Sequence, residues 1–318
     1  MTEHDEQLDL FDPNPGAVKA YQANLEGSPL FCSHPLPQGL FLGTSSWSFP
    51  GWSGLVYDRE YSDQRLAERG LEAYASHRLF GCVSLDKTYY RPASEREYAR
   101  LAAQVPAAFR FVVKAPRDLL RRCDRGFDAG SLERGFLQPA ARGLGAKLGP
   151  ILLQFPPGAW REWGSPTAFL GDLGSLLGKL PKELSYSVEV RDEELLGTAL
   201  SEALGSNGVA LCASIHSSLP SMEKQLLSVP PAPGAPLVFR WNLRPSLGYE
   251  EAREDFRPFN ALRSPDLRRR TTLVQMIARA LDAGRQLFVT VNNKAEGCAP
   301  LSLVSLLTEL EQARRKKP

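Results

Sequence analysis

Charged side chains stand at the ends of apolar segments that we predict to be buried strands. One such segment, Ser185–Val190, carries Glu189 between two valines and is followed by Arg191, and another, Phe109–Ala115, carries Lys114. A buried carboxylate is costly unless a cation pairs with it, so Lys114 and Arg191 are its predicted partners. As a catalytic site, Glu189 would move a proton and Lys114 would stabilise charge or act as a nucleophile. A purely structural ion-pair network is the alternative.

Further polar residues end or follow the other predicted strands. Asp86 is the third candidate catalytic residue, and Arg191 and Arg240 are predicted to clamp an anion. Side chains that would orient hydroxyl or carbonyl groups, or complete the site, are Gln154, Asn242, Asn292, Asn293, Glu296, Tyr90 and Arg91. The predicted ligand is therefore a small anionic or sugar-like molecule, handled by an acid–base enzyme of isomerase, lyase or hydrolase type.

An arginine-rich loop follows the third predicted strand. Its basic residues are Arg117, Arg121, Arg122 and Arg125. Guanidinium groups fit phosphate and carboxylate oxygens, so Arg117 is a candidate ligand of an anion. A solvated face partly neutralised by Asp118 and Asp124 is the alternative. The second candidate function, nucleic-acid binding or abasic-site processing, uses this loop with Trp47 or Tyr90 stacking on bases, although packing is the commoner role of such rings.

The motifs of common cofactor and metal sites are absent from the sequence. There is no HxH, HExxH or GxSxG, and the spacing in GLGAKLG (Gly143–Gly149) does not fit a dinucleotide fingerprint. A single divalent ion on Asp86, Glu189 and Glu296 is the remaining metal alternative, disfavoured by the cations predicted beside it. We therefore predict no metal and no cofactor, and no motif defines an oligomeric state.

The elements that position these residues alternate between strands and helices. The predicted strands are Leu40–Trp47, Cys82–Tyr89, Phe109–Ala115, Pro150–Phe155, Ser185–Val190, Val209–Ile215, Leu237–Trp241 and Gln286–Val291. The predicted helices are Asp63–Leu79, Ser94–Val105, Ser131–Leu148 (kinked or split at Pro139), Pro166–Leu180, Glu193–Ser206, Asp266–Ala283 and Pro300–Arg314, with a loop over Ser217–Pro236. Eight strands with intervening helices predict an α/β fold of the TIM-type (β/α)8 barrel class. An open doubly wound sheet usually has a glycine-rich turn after its first strand, and none is present here.

Composition sets the domain organisation and the cellular setting. The 318 residues are 43% hydrophobic and 23% charged, with a net charge of +2. This charge excludes a uniformly basic surface of the kind that binds nucleic acid non-specifically. Residues 1–38 are predicted to be a partly ordered arm, which could recruit a partner, and residues 39–318 the barrel. The sequence contains no signal or transit peptide and no long apolar segment, so we expect no membrane partner. Its five cysteines form no CxxC motif, and we expect a cytoplasmic protein.

Six sequence motifs also carry a resemblance to a known family. They are GTSSWSFPGWSG (Gly43–Gly54), TYYRPAS (Thr88–Ser94), FRFVVKAPR (Phe109–Arg117), KLGPILLQFPP (Lys147–Pro157), YSVEVRD (Tyr186–Asp192) and VNNKAEGCAP (Val291–Pro300). In this order they resemble the YecE-like family, domain of unknown function 72, from Leu40 to the C-terminus. The resemblance implies a TIM-type barrel and no particular reaction, because the family's links to sugar isomerases and apurinic-site endonucleases rest on barrel similarity.

The chain also departs from that family's usual pattern. Ser84 and Asp86 replace a Glu and an Asn, Ile215 replaces an Asp, and Cys298 replaces a Tyr. At the end of the seventh strand, Arg240 is followed by Trp-Asn-Leu where the family usually has Leu-His-Gly. The resemblance therefore implies no mechanism that depends on those missing groups.

Overall fold

The predicted strands form a closed barrel in a computed structural model that describes residues 17–243 and 248–315. Within these residues eight parallel strands pair in sequence order, and β8 closes on β1. The strands are β1 (Leu40–Thr44), β2 (Cys82–Leu85), β3 (Arg110–Lys114), β4 (Leu148–Phe155), β5 (Tyr186–Val190), β6 (Ala210–Ile215), β7 (Leu237–Trp241) and β8 (Leu287–Val291). The predicted TIM-type (β/α)8 fold is confirmed.

Helices surround the strands and differ from the prediction in four places. They are α1 (Asp63–Ser76), α2 (Glu95–Ala103), α3 (residues 129–144), α4 (Pro166–Lys179), α5 (Thr198–Gly205), α6 (Met222–Ser228), α7 (Tyr249–Asp255), α8 (Leu267–Asp282) and α9 (Ala299–Arg315). In α3, a π-helical turn over Glu133–Leu137 comes just before Pro139, where the sequence predicted a kink or break. The predicted helix Glu193–Ser206 is a 3-10 turn over Glu193–Leu195 and an α-helix only from Thr198. Helix α6 lies inside the predicted loop, and α7 was not predicted.

The second strand ends earlier than its sequence predicted. β2 ends at Leu85, and Asp86–Tyr89 form a 3-10 turn in which the Thr88 hydroxyl contacts the carbonyl oxygens of Leu85 and Lys114. This turn places Asp86 and Tyr89 at the barrel mouth, by which we mean the end formed by the carboxyl ends of the strands.

Two layers of side chains fill the barrel. The lower one is an apolar cluster containing Cys82, Val112, Leu152, Cys212, Val238 and Phe288. Because side chains alternate along a strand, the residue two positions further on faces the same side. Those residues, together with Glu189, form what we call the polar layer: Ser84, Lys114, Gln154, Glu189, Ser214, Arg240 and Thr290. All seven are buried. Over two residues along these strands, the interior of the barrel therefore changes from mainly apolar to polar.

The glycine of the GTSSWS motif has a packing role. A Cβ atom on Gly43 in β1 would collide with the carbonyl oxygen and carbon of Cys82 in β2. Only glycine allows the two strands to approach this closely. This close approach lies below Ser84, next to the polar layer.

The described part of the N-terminal arm packs on the barrel. Residues 17–38 include buried Val18, Leu30 and Cys32, and the side chain of Asn24 binds the backbone of Ser76 and Arg78. Residues 1–16 of the predicted arm lie outside the described residues. Among the helices that the structure describes, none has the length and apolar character to cross a bilayer.

Candidate functional site

Glu189 is the centre of the polar layer. Its side chain is fully buried, and its two carboxylate oxygens bind different guanidinium groups. Arg191 Nη2 lies 2.5 Å from Oε1, and Arg240 Nη1 lies 2.8 Å from Oε2. The Ser214 hydroxyl donates a further hydrogen bond of 2.7 Å to Oε1. Both oxygens therefore have charged partners, as a buried carboxylate requires.

Arg240 joins Glu189 to the opposite wall of the barrel. Its Nη2 lies 2.8 Å from Asp86 Oδ2 at the end of β2, and its Nη1 also lies 3.4 Å from Gln154 Oε1. Asp86 is held in turn by the hydroxyl of Ser84, 2.7 Å from its Oδ1. Side chains from β2, β4, β5 and β7 thus converge, as the sequence predicted for Asp86, Gln154, Glu189 and Arg240.

Lys114 has a different environment from the other charged residues. Its Nζ lies 3.9 Å from the centroid of the Tyr89 ring, and among the described residues no carboxylate lies within ion-pair distance of it. The residue is buried, with 8% of its surface exposed. Burial, with Arg240 as the next contribution, lowers the pKa of Lys114 to about 8, although Asp86 and Glu189 partly oppose this. A substantial fraction of its amines is therefore neutral near physiological pH.

The pKa of Glu189 is lowered as well, but by neighbouring charges and against the effect of burial. Burial by itself would raise the pKa of its carboxyl group, but Arg191, Arg240 and Lys114 outweigh burial and lower the pKa to about 2. The group remains a carboxylate and is a poor base at neutral pH. This geometry suits an electrostatic anchor better than the proton-transfer role that the sequence suggested for Glu189, and it leaves Lys114 as the titratable group.

His216 directly follows β6 at the barrel mouth and is not among the predicted site residues. Its Nδ1 accepts a hydrogen bond of 3.2 Å from the backbone N–H of Ser218, whose hydroxyl lies 2.9 Å from the carbonyl oxygen of Arg191. Burial and the charge of Arg191 lower the pKa of His216 to about 4, so the imidazole is neutral at physiological pH. Its position directly after β6 was the available signal.

Two further contributors were missed. Ser214 binds Glu189, and Tyr89 lies under Lys114. Ser214 follows Cys212 at the period of two that defines the inner face of a strand, so the alternation could have identified it. Tyr89 could not be identified in this way, because a 3-10 turn replaces the predicted strand there.

Some predicted binding residues lie around the cluster without contacting its core. Asn292 Nδ2 lies 3.3 Å from Ser45 Oγ, which joins the loop after β8 to the end of β1. Asn242, after β7, has a buried Nδ2 atom with no partner among the described residues. Arg117 is more than half exposed at the rim, and its Nε lies 3.4 Å from Asp118.

Other predicted site residues are bound elsewhere. Glu296 is buried against α8, with Oε1 2.6 Å from Arg270 Nη2, and Asn293 accepts a hydrogen bond of 2.8 Å from the N–H of Ala299 at the start of α9. Trp47 is buried and donates its indole N–H to the carbonyl oxygen of Leu66. Tyr90 is 74% exposed, and exposed Arg91 pairs with Glu97 of α2.

The carboxylates of the metal alternative do not share one site. Asp86 and Glu189 are joined through Arg240, whereas Glu296 is held by Arg270 outside the polar layer. Among the described residues, no three histidine, cysteine or acidic side chains are grouped so that they could hold an ion.

A cavity of about 330 Å³ adjoins the cluster between the loops that follow β3 and β4. Two of its lining residues, Tyr89 and Gln154, also contact Lys114 and Arg240 respectively. The others are Arg117, Leu120, Arg121, Phe155, Pro156, Ala159, Glu162 and Trp163. The cluster therefore shares two side chains with a space large enough for a small molecule.

Known proteins resemble this chain in fold and in sequence profile. A crystal structure of a DUF72 family protein from Enterococcus faecalis V583 is 18% identical, with a TM-score of 0.61, and the match covers 86% of this chain and 95% of that one. A DUF72 family protein from Thermotoga maritima MSB8 is 20% identical, with a TM-score of 0.58, over 86% of this chain and 99% of that one. At these identities the likeness concerns the fold alone. No curated protein is significantly similar in sequence. Residues 41–318 match the family described as protein of unknown function DUF72, and the chain therefore belongs to the DUF72 family, for which YecE-like is another name.

Proposed function

We propose that this chain is an enzyme that acts, without a metal, on a small anionic or sugar-like substrate through the amine of Lys114 at the barrel mouth. The observation that carries the proposal is the setting of that amine: it is nearly enclosed, it faces the ring of Tyr89, and it has cations as neighbours. A lysine made less basic in this way is an activated nucleophile or base.

The surrounding charges support an anionic substrate. Lys114, Arg191 and Arg240 outnumber Glu189 and Asp86 by one positive charge when the lysine is protonated. The Nε atoms of Arg191 and Arg240 are buried and have no partner among the described residues. Carboxylate or phosphate oxygens of a substrate would provide the missing acceptors and balance the charge. In this proposal Glu189 keeps both guanidinium groups in place.

The reaction class that best uses a neutral lysine is attack on a carbonyl group. The Lys114 amine would add to a substrate aldehyde or ketone, forming a C–N bond, and a proton would pass from nitrogen to the former carbonyl oxygen. Loss of that oxygen as water, with one further proton taken up from solvent, gives a protonated Schiff base, which draws electrons from the neighbouring carbon. Isomerisation or carbon–carbon cleavage would follow at that carbon, and hydrolysis would restore the amine.

Reductive trapping tests this proposal directly. The protein would be incubated with glyceraldehyde 3-phosphate or ribose 5-phosphate and sodium cyanoborohydride, and the modified lysine located by peptide mass spectrometry. We expect stable labelling of Lys114, no labelling at that position in Lys114→Arg or Lys114→Met, and wild-type labelling in Lys87→Met. Lys87 is the matched control, because it is an exposed lysine at the end of β2. Failure to label Lys114 above the exposed lysines would contradict the proposal.

The nucleic-acid alternative gains less support. Arg117 and Arg121 have acidic neighbours in Asp118 and Glu162, so part of the charge of their loop is neutralised. An oligonucleotide with an abasic site, which also presents an aldehyde, belongs in the same trapping experiment. Preferential labelling by that oligonucleotide over the free sugar phosphates would favour the alternative.

A cytoplasmic location, expected from the sequence, is part of this proposal.

A further inference from the structure

We propose that the cavity beside Lys114 binds the non-reacting end of the substrate, and that this end is a planar ring carrying a phosphate or similar anion. The inference deepens the proposed function and rests on it for the identification of the bound molecule as a substrate. The cavity of about 330 Å³ lies in the range of small-molecule sites, roughly 300–1,000 Å³. It has space for a molecule larger than a lone phosphate ion.

The floor and walls of the cavity are apolar and aromatic. Leu120, Phe155, Pro156 and Ala159 line it together with the rings of Tyr89 and Trp163, and this is the surface that a planar apolar group buries favourably. A bare phosphate or an acyclic polyol would leave that surface without a matching contact. The lining therefore selects for a ring.

The aromatic wall is held in place before any ligand binds. The indole N–H of Trp163 donates a hydrogen bond of 2.7 Å to Asp172 Oδ2. The Trp163 ring lies 4.7 Å from the ring of Phe127 and 5.1 Å from that of Phe169, between ring centroids. A wall fixed in this way loses little conformational entropy when a ligand stacks on it.

The charges at the rim select for an anion. Arg117 and Arg121 line the cavity with one carboxylate, Glu162, whereas Asp118, which contacts Arg117, is not among the lining residues. Arg121 Nη2 is 3.6 Å from Glu162 Oε1, a long contact that a ligand phosphate could replace with shorter ones. The backbone N–H of Arg122 also binds Glu162, so the carboxylate keeps a partner if Arg121 moves.

Two shared residues connect this cavity to the reacting amine. Tyr89 lines the cavity and also contacts Lys114 Nζ, and Gln154 lines it while accepting a hydrogen bond from Arg240. In this proposal the reacting end of a molecule held in the cavity extends past these two residues toward Lys114. The binding energy of the remote part of a substrate would then help to orient its reacting part.

The test compares the affinities of phenyl phosphate, inorganic phosphate and phenol by calorimetric titration at constant ionic strength. We expect phenyl phosphate to bind at least tenfold more tightly than either fragment and to slow the trapping of ribose 5-phosphate at Lys114. Arg117→Gln combined with Arg121→Gln should weaken phenyl phosphate binding at least tenfold. Arg125→Gln should leave it unchanged, because Arg125 is an exposed arginine of the same loop that does not line the cavity.

Equal affinities for phenyl phosphate and inorganic phosphate would overturn the inference, as would an equal loss in Arg125→Gln. The Lys114→Met variant separates this inference from the proposed function. If Lys114→Met binds phenyl phosphate normally but trapping fails in the wild type, the cavity binds its ligand and the proposed chemistry is wrong. If trapping succeeds and phenyl phosphate does not bind, the chemistry stands and the cavity assignment is wrong.

Discussion

The Nζ atom of Lys114 lies 3.9 Å from the centre of the Tyr89 ring, while both neighbouring carboxylates are bound by Arg240. The ring can stabilise an ammonium group but does not accept its proton, so the amine can become neutral without losing an ion pair. Its reactivity should therefore follow its own ionisation.

We predict that the rate of reductive trapping at Lys114 rises with pH and levels off above an apparent pKa near 8. With that pKa about one fifth of the amines are neutral at pH 7.4, against about 0.1% for an ordinary lysine with a pKa of 10.5. Peptide mass spectrometry at pH 6–10 would measure the rates for Lys114 and for exposed Lys87 in the same samples. Parallel profiles for the two lysines would contradict the prediction.

Lys114→Met should increase the free energy of unfolding near neutral pH. Below pH 8 the wild-type protein buries a charged amine, and replacing it with an apolar side chain removes the cost of burying that charge. Because the folded pKa of about 8 is lower than the ordinary 10.5, the wild type regains stability as the pH rises between these values. We expect an advantage of Lys114→Met of roughly 3 kcal/mol at pH 7, decreasing toward pH 10 at up to about 1.4 kcal/mol per pH unit.

Urea unfolding at pH 7, 8.5 and 10 would measure this difference. Lys87→Met serves as the control, since Lys87 is an exposed lysine. A Lys114→Met advantage that stays constant across these pH values would show that the folded protein keeps the amine charged at all of them.

The barrel could be predicted because every strand carries its own local signal. Apolar residues at a period of two mark the inner face of a strand, and the same alternation identifies Lys114, Gln154 and Arg240 as members of the polar layer. The partners within the layer could not be predicted in this way. Whether Arg240 reaches Glu189, Asp86 or both depends on distances across the barrel, which packing determines.

Local contacts explain the elements that the sequence misplaced. Helix α6 begins after Ser221, whose hydroxyl accepts a hydrogen bond from the N–H of Lys224, inside a segment rich in proline and serine that resembles a loop. The helix is held by Gln225, whose side chain bonds to both the N–H and the carbonyl oxygen of Ser214 in β6. Such a long-range contact leaves no periodic pattern in the sequence. Glu296 was placed at the mouth because it lies in the loop after β8. Its pairing with Arg270 in α8 is another contact that the sequence around it does not indicate.

Glu296→Gln should destabilise the protein without slowing the trapping reaction. Glu296 Oε1 accepts hydrogen bonds of 2.6 Å from the Arg270 guanidinium and from the backbone N–H of Asp266, all outside the polar layer. Removing a buried charge that is paired in this way costs about 3 kcal/mol, and Glu309 still gives Arg270 one partner. Urea unfolding and the Lys114 trapping rate would be measured on the same samples. A loss in trapping of more than fivefold in folded protein would return Glu296 to the working site, where the sequence placed it.

Glu189→Gln should have a larger effect on both stability and reactivity. The variant leaves Arg191 without its carboxylate and Arg240 with Asp86 alone, both in a region with little access to water. Breaking such a buried pair costs about 3–5 kcal/mol. The matched control is Glu193→Gln, the same substitution in an exposed pair with Lys224, where the loss should be below about 1 kcal/mol. Folded Glu189→Gln should also trap substrate more slowly, because the two guanidinium groups lose the group that positions them.

Acid titration measures how much the charge of Glu189, as distinct from the shape of its side chain, contributes to stability. The folded pKa of this carboxyl group, about 2, is below its ordinary value of 4.5, so its stabilising contribution is complete above pH 4.5 and is lost as the pH falls toward 2. The wild type should therefore lose free energy of unfolding in this range, at up to about 1.4 kcal/mol per pH unit from this group alone. Glu189→Gln should show a shallower slope, measured by urea unfolding at pH 5, 4 and 3. Identical slopes in the two proteins would mean that folding does not shift the pKa of Glu189, and that its arginine partners do not lower this pKa as described.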